Sequence, residues 1–212
     1  MCIHKINTIE NDPSQDLYKI IDDEDFALFE SECLYRNVDE VKDLITNNAN
    51  LVVLHANIHS IPSKIDDFKQ LLGKLKKDNI TVDIIVLCET FINDNNLDRC
   101  KLNDYDFIEK HRENKSKGGV AIYVHKNLRY IERADISIFK EGLFESCFVE
   151  IPTKNRNIVV GEVYRIPGTN EASFLSDYES IVQKVKDERK DLIIGADQNM
   201  DLLNVNRHAN TA

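Results

Sequence analysis

The sequence predicts a layered α/β sandwich, with two sheets face to face and helices outside them. Three observations carry this expectation. Short, almost wholly apolar runs bounded by polar residues recur at Leu51–Asn57, Asp83–Glu89 and Asp191–Asp197, as in strands buried on both faces. Two stretches place apolar residues at helical spacing, and between them lies a series of strand-like segments separated by turn formers. The order strand-helix-strand, several strands, then helix-strand fits two layered sheets better than a Rossmann fold.

Taken along the chain, residues 1–16 are polar and aperiodic and read as a loose tail. Residues 17–46 carry partly helical apolar spacing in acidic surroundings (Leu17, Ile20, Ile21, Phe26, Leu34, Val38, Val41, Leu44), which predicts one or two short amphipathic helices. Asn47-Asn48-Ala49-Asn50 is the linker. This divides the chain into an acidic N-terminal part, 1–48, and a domain, 49–212. After the first buried strand, Pro62 and Ser63 open a helix with Ile65, Phe68, Leu72 and Leu75 on one face. Strands follow at Tyr105–Ile108, Gly118–Val124, Tyr130–Ile138, Phe144–Ile151 and Asn157–Tyr164. A second helix carries Phe174, Leu175, Tyr178, Ile181, Val182 and Val185, and the last strand runs into Asp197 and Asn199.

Composition narrows the class. No window approaches 18 consecutive apolar residues, so no membrane span is expected. The start, Met1-Cys2-Ile3-His4-Lys5, lacks the basic and apolar regions of a secretory signal. The five cysteines lie far apart with no CxxC pair, which speaks against a disulfide framework or zinc ribbon and suits an intracellular compartment, nuclear or cytoplasmic. The net charge of −10 is unevenly placed. Residues 1–50 hold four Lys/Arg against twelve Asp/Glu, whereas 110–133 hold seven against two. That basic stretch is either a phosphate-facing patch or an ordinary solvated hairpin.

Three buried strands end in polar groups, Asn57, Glu89, and Asp197 with Asn199, and a fourth runs into Tyr164-Arg165. Each alone reads equally as turn chemistry: Glu89 as a surface turn, Asp197 and Asn199 as an Asx turn, Tyr164 as a core or rim aromatic. Together they lie where function concentrates in layered α/β folds, and a carboxylate at a strand end suits a hard cation such as magnesium.

These residues carry a resemblance. His55-Ala56-Asn57-Ile58-His59-Ser60-Ile61-Pro62, Cys88-Glu89-Thr90-Phe91-Ile92, Gly118–Val124, Val163-Tyr164-Arg165-Ile166-Pro167 and Gly195-Ala196-Asp197-Gln198-Asn199 occur in the order of the motifs of the endonuclease/exonuclease/phosphatase superfamily. The set most resembles the apurinic-type endonuclease domain of non-LTR retrotransposons. The resemblance implies that fold and a Mg2+-dependent (alternatively Mn2+-dependent) DNA endonuclease, monomeric, free of membranes and once fused to a reverse transcriptase. It implies that Glu89 binds the metal and that Asn57 supports the metal and phosphate network. Tyr164 would contact the scissile phosphate or its leaving oxygen, Asp197 would orient or activate water, and Asn199 would donate to the phosphate. His59 stands where some relatives place a second metal carboxylate. Arg165 is expected at the substrate backbone or in a surface salt bridge, and Arg112 with the following lysines along the DNA groove. Cys88 is expected to act as a small buried hydrophobe, and His208 as structural.

The superfamily's last motif, a Ser-Asp-His or similar sequence, does not occur before Ala212. The sandwich is therefore expected to be incomplete at its C-terminus and cleavage to be impaired. A non-catalytic remnant that binds nucleic acid or a protein stands as the alternative reading, with a phosphatase or sphingomyelinase of the same superfamily behind it. The acidic N-terminal part would repel DNA, so deleting residues 1–48 is expected not to weaken DNA binding. A fluorescence-anisotropy titration showing a weaker complex after deletion contradicts this.

Overall fold

The computed structural model describes residues 2–6, 51–113, 115 and 117–200. The helices expected over 17–46, the linker and His208 lie outside the described residues. The elements, in order, are β1 (Cys2–Ile6), β2 (Leu51–Asn57), α1 (Ile61–Lys77), β3 (Ile84–Cys88), a 3-10 turn (Leu97–Cys100), β4 (Tyr105–Lys110), β5 (Val120–His125), β6 (Ile131–Glu132), β7 (Phe139–Lys140), β8 (Phe144–Ile151), β9 (Ile158–Arg165), α2 (Glu171–Asp187) and β10 (Asp191–Asp197).

The strands form two sheets. One has the order β1-β2-β3-β5-β4. The other has the order β10-β9-β8-β6, with β7 also on β8. Among the described residues, only β2–β3 and β9–β10 are parallel. Parallel neighbours need a crossover, and α1 and α2 supply the two required. α1 starts on Ile61-Pro62 and carries Lys74, Lys76 and Lys77 in its last turn, where cations favour the helix dipole. α2 is capped by Asn170, whose side chain accepts from Ser173 N at 3.0 Å.

Alternation along the strands sorts apolar residues into three cores. Val52 and Leu54 pack with Ile65, Phe68 and Leu75 of α1. Leu51, Val53, Ile84 and Val86 face Cys147, Val149 and Val160 of the other sheet. Phe148, Val159 and Val163 pack with Phe174, Ile181 and Val185 of α2. Three cores separate four layers, helix, sheet, sheet and helix, and the chain is the α/β sandwich expected from its sequence. β10 is the edge of its sheet among the described residues.

Two local expectations are corrected. Residues 130–138 are not one strand. After Glu132 the chain turns, with Ile136 N and Ser137 N both donating to Arg133 O at 3.2 and 3.1 Å. The cause is Arg133, drawn inside by Asp135, Glu150 and Glu188 at 2.8 Å each, an arrangement a continuing strand could not reach. Within the tail expected to be loose, Cys2–Ile6 pairs antiparallel with β2, satisfying a strand edge that would otherwise stay open.

Gly161 pairs with Phe148 across β9 and β8, and a Cβ there would run into the buried Phe148 ring. Gly161→Ala is therefore expected to destabilise by about 1–3 kcal/mol, read as a lower urea midpoint. An unchanged midpoint would show that the sheets can yield.

Candidate active site

The carboxyl ends of both parallel strand pairs meet at one rim, where ligands bind in many α/β folds. Asn57, the last residue of β2, is the hub. Its Nδ2 donates to Glu89 Oε1 at 3.0 Å and to Asp197 Oδ2 at 2.8 Å. One amide thus ties the end of β3 to the end of β10 in the opposite sheet. From β9, the Tyr164 hydroxyl donates to Glu89 Oε1 at 3.1 Å. His59 Nδ1 lies 2.8 Å from Glu89 Oε2, and Asn57 Oδ1 accepts from His59 N at 3.2 Å. The structure thus brings Asn57, His59, Glu89, Tyr164 and Asp197 together.

The backbone here is held in an uncommon conformation. His59, Glu89, Phe91 and Asn199 have φ of 46°, 51°, 55° and 48°, a left-handed region non-glycine residues seldom occupy and one that clusters at functional sites. Ser60 N donates to Glu89 O at 2.8 Å, and Thr90 N and Phe91 N donate to the Gly119 and Gly118 carbonyls at 3.2 and 2.8 Å. This lattice fixes the turn that presents Glu89.

Electrostatics follow from the contacts. Burial works to raise the Glu89 carboxyl, but hydrogen bonds from Asn57, His59 and Tyr164 outweigh it and hold the group below its ordinary range. Burial, with Glu89 beside it, pushes the Tyr164 phenol well up, so it stays protonated and remains a donor at neutral pH.

The two arginines expected at the substrate lie inside. Arg112 is 8% exposed, and its Nε donates to the fully buried Glu145. A guanidinium committed there is not available to line a groove. Lys110 and Lys126 donate to Ser137 O and Asn103 O at 2.8 Å each, and Arg133 is buried, so much of the basic stretch is absorbed by the fold. Lys115, Lys117, Lys126 and Arg129 remain exposed. Arg165 is 3% exposed and donates to Gln198 O and Asn199 O at 2.7 Å and to Thr169 O at 2.8 Å. It shapes the loop after β10. Asn199 Nδ2 donates back to Arg165 O at 2.8 Å.

A second group of polar residues lies beneath the rim. His55, Cys88 and Glu162 place one nitrogen, sulfur or oxygen atom each within 4.8 Å of one another. Sequence reading passed over His55 and Glu162. Their only signal is spacing, since each stands two residues before a rim residue, Asn57 or Tyr164, and so shares its face.

Residues 54–209 match the model of the Endonuclease/Exonuclease/phosphatase family. The chain belongs to that family. Among solved structures, the endonuclease domain of TRAS1, a telomere-specific non-LTR retrotransposon, is similar with a TM-score of 0.50 and 18% identity, over 71% of this chain and 61% of its own. A humanized D. rerio TDP2 with 14 mutations reaches 0.52 at 14% identity, over 74% and 70% of the two chains. D. rerio TDP2 with a single strand DNA product reaches 0.51 at 13% identity, over 75% and 64%. These likenesses concern the fold of the Endonuclease/Exonuclease/phosphatase family. No curated protein matches the sequence. Among the described residues, no helix is long and apolar enough to cross a membrane.

Truncating Arg112 leaves the buried Glu145 charge without its ion-pair partner. Arg112→Ala is therefore expected to cost about 3–5 kcal/mol of stability, measured by urea unfolding. A variant of unchanged stability that binds DNA more weakly would return Arg112 to the groove.

Proposed function

We propose that this chain is a metal-dependent phosphodiesterase acting on DNA, of the endonuclease kind that serves non-LTR retrotransposons. The observation that carries the reading is the convergence of Asn57, Glu89, Tyr164 and Asp197 from four strands of two sheets onto one hydrogen-bonded cluster. The retrotransposon assignment draws on the ordered motifs and on the wording of the first, His55 to Pro62. The fold likeness to the TRAS1 domain agrees with it.

Members of the family are generally divalent-metal dependent, and the donor set at the rim fits a hard cation. Glu89 is ionised and only 19% exposed, with the Asn57 amide and the Asp197 carboxylate beside it. Magnesium held by Glu89 would supply charge neutralisation on the phosphoryl oxygens. The protein groups then divide the remaining work. Asp197 Oδ2 accepts from Asn57 and Oδ1 from Asn199 N at 3.3 Å, so its carboxylate plane is fixed to align a water and take up its proton. Tyr164, kept protonated, donates to the leaving oxygen or the phosphate as charge develops. His59 competes for Glu89 Oε2. Asn199 would reach the phosphate by exchanging its bond to Arg165 O.

The 212-residue chain is expected to bind duplex DNA more tightly with magnesium than with EDTA, and Glu89→Ala should remove the difference. A version carrying a natural Ser-Asp-His segment should convert supercoiled plasmid to the relaxed form with magnesium, and Glu89→Ala and Asp197→Ala should each abolish this. Nicking that survives Glu89→Ala, or that persists in EDTA, overturns the metal assignment.

A further inference from the structure

We propose that His55, Cys88 and Glu162 form a second metal site, for a borderline-soft divalent ion of the zinc type, one layer beneath the rim. The site is distinct from the Glu89 cluster and does not depend on the activity proposed for it.

Strand alternation builds the site. His55 and Asn57 share the inward face of β2, Glu162 and Tyr164 that of β9, and Gly195 and Asp197 that of β10. The upper member of each pair is at the rim and the lower member lies between the sheets. Cys88 closes the layer from β3. His55 Nε2 is already 3.3 Å from Glu162 Oε1. Zinc bound by imidazole, thiolate and carboxylate at about 2.0–2.3 Å needs ligand atoms separated by about 3.4 Å in a tetrahedral arrangement. The three donor atoms, all within 4.8 Å of one another, need only a modest side-chain adjustment to enclose such an ion.

One observation points directly into this space. Glu162 is fully buried, and its Oε2 has no hydrogen-bond partner. A buried carboxylate oxygen left unmatched costs several kcal/mol in a dry interior, whereas a cation would satisfy it. Gly195 lets the cluster pack against β10: a Cβ there would lie 2.5 Å from His55 Cδ2 and 2.7 Å from Glu162 Oε2, so any side chain at 195 would push the two ligands out of place.

Charge and donor chemistry select the ion. A neutral imidazole, a thiolate and a carboxylate carry two negative charges, which a divalent cation cancels, leaving the buried layer neutral. Metal binding displaces the Cys88 thiol proton to water. Magnesium avoids thiolate, whereas zinc accepts all three donors. Three protein ligands leave a fourth position open, and the ion reaches the site past His55, the one ligand with exposed side-chain surface, 16%. A bound ion would join β2, β3 and β9 across both sheets, directly below Asn57, Glu89 and Tyr164.

The test uses the reduced, chelator-stripped 212-residue chain titrated with Co2+ as the spectroscopic stand-in for Zn2+. Saturable binding with a thiolate-to-cobalt charge-transfer band in the near ultraviolet is expected, and Zn2+ should bleach it. Cys88→Ser should abolish the band, and Glu162→Gln, which keeps the side-chain shape, should abolish or weaken it. Cys100→Ser and Glu89→Gln should leave it in place, the latter separating this site from the rim. No band in the folded chain, or a band that survives Cys88→Ser, overturns the proposal. If circular dichroism shows Cys88→Ser to be unfolded, Glu162→Gln decides: an unchanged band in that folded variant overturns the site.

Discussion

One buried carboxylate, Glu145, sets the position of much that the rim requires. It stands on β8 of one sheet, yet its partners are Arg112 and Gly119 N, at the ends of β4 and β5 of the other. A charge taken wholly out of water is tolerable only when paired and hydrogen-bonded, so Glu145 compels the two sheets to meet here. With Gly119 pinned, the Gly118 and Gly119 carbonyls hold Thr90 and Phe91, and those two residues hold the left-handed turn that aims Glu89. The geometry of an exposed site is thus inherited from an interaction water never reaches.

The second arginine works in the same way from the other side. Arg165 crosses beneath the loop after β10 and binds the carbonyls of Gln198 and Asn199, while Asn199 returns a bond to the Arg165 carbonyl. Both cations expected to touch substrate are consumed in building the platform. What the platform presents is two carboxylates, an amide, a phenol and the His59 imidazole beside Glu89. A phosphate meeting such a surface is repelled unless a cation intervenes, which favours a metal-bearing reading of the rim over one based on arginine clamps.

The sandwich was legible because its strands are short apolar runs and its helices carry one apolar stripe each, signals that need only neighbouring residues. The strand-end residues stood out for the same reason, each being a polar group where a buried run ends. Ion pairs between distant segments leave no such trace. Arg112 and Glu145 are 33 residues apart, and from composition alone Arg112 belonged to a basic patch. Arg133 broke an apparent strand for reasons that lie partly in Glu150 and Glu188. His55 and Glu162 were hidden because a strand buried on both faces gives no hint of which face meets the other sheet. The 3-10 turn at Leu97–Cys100 has neither the length nor the periodicity to register.

The bond between Asn57 and Asp197 spans 140 residues of chain. Contacts of such separation close late, because the intervening loop must lose its freedom before they contribute. On a ribosome adding about 5–20 residues per second, the two halves of the rim are synthesised about 7–28 s apart. Within that interval β8 emerges, and its Cys147 and Val149 belong to the core on the inner face of β2 and β3, so the packing between the sheets can begin before the rim is whole. Docking of β9 and β10 then brings Tyr164 and Asp197 to Glu89 and Asn57.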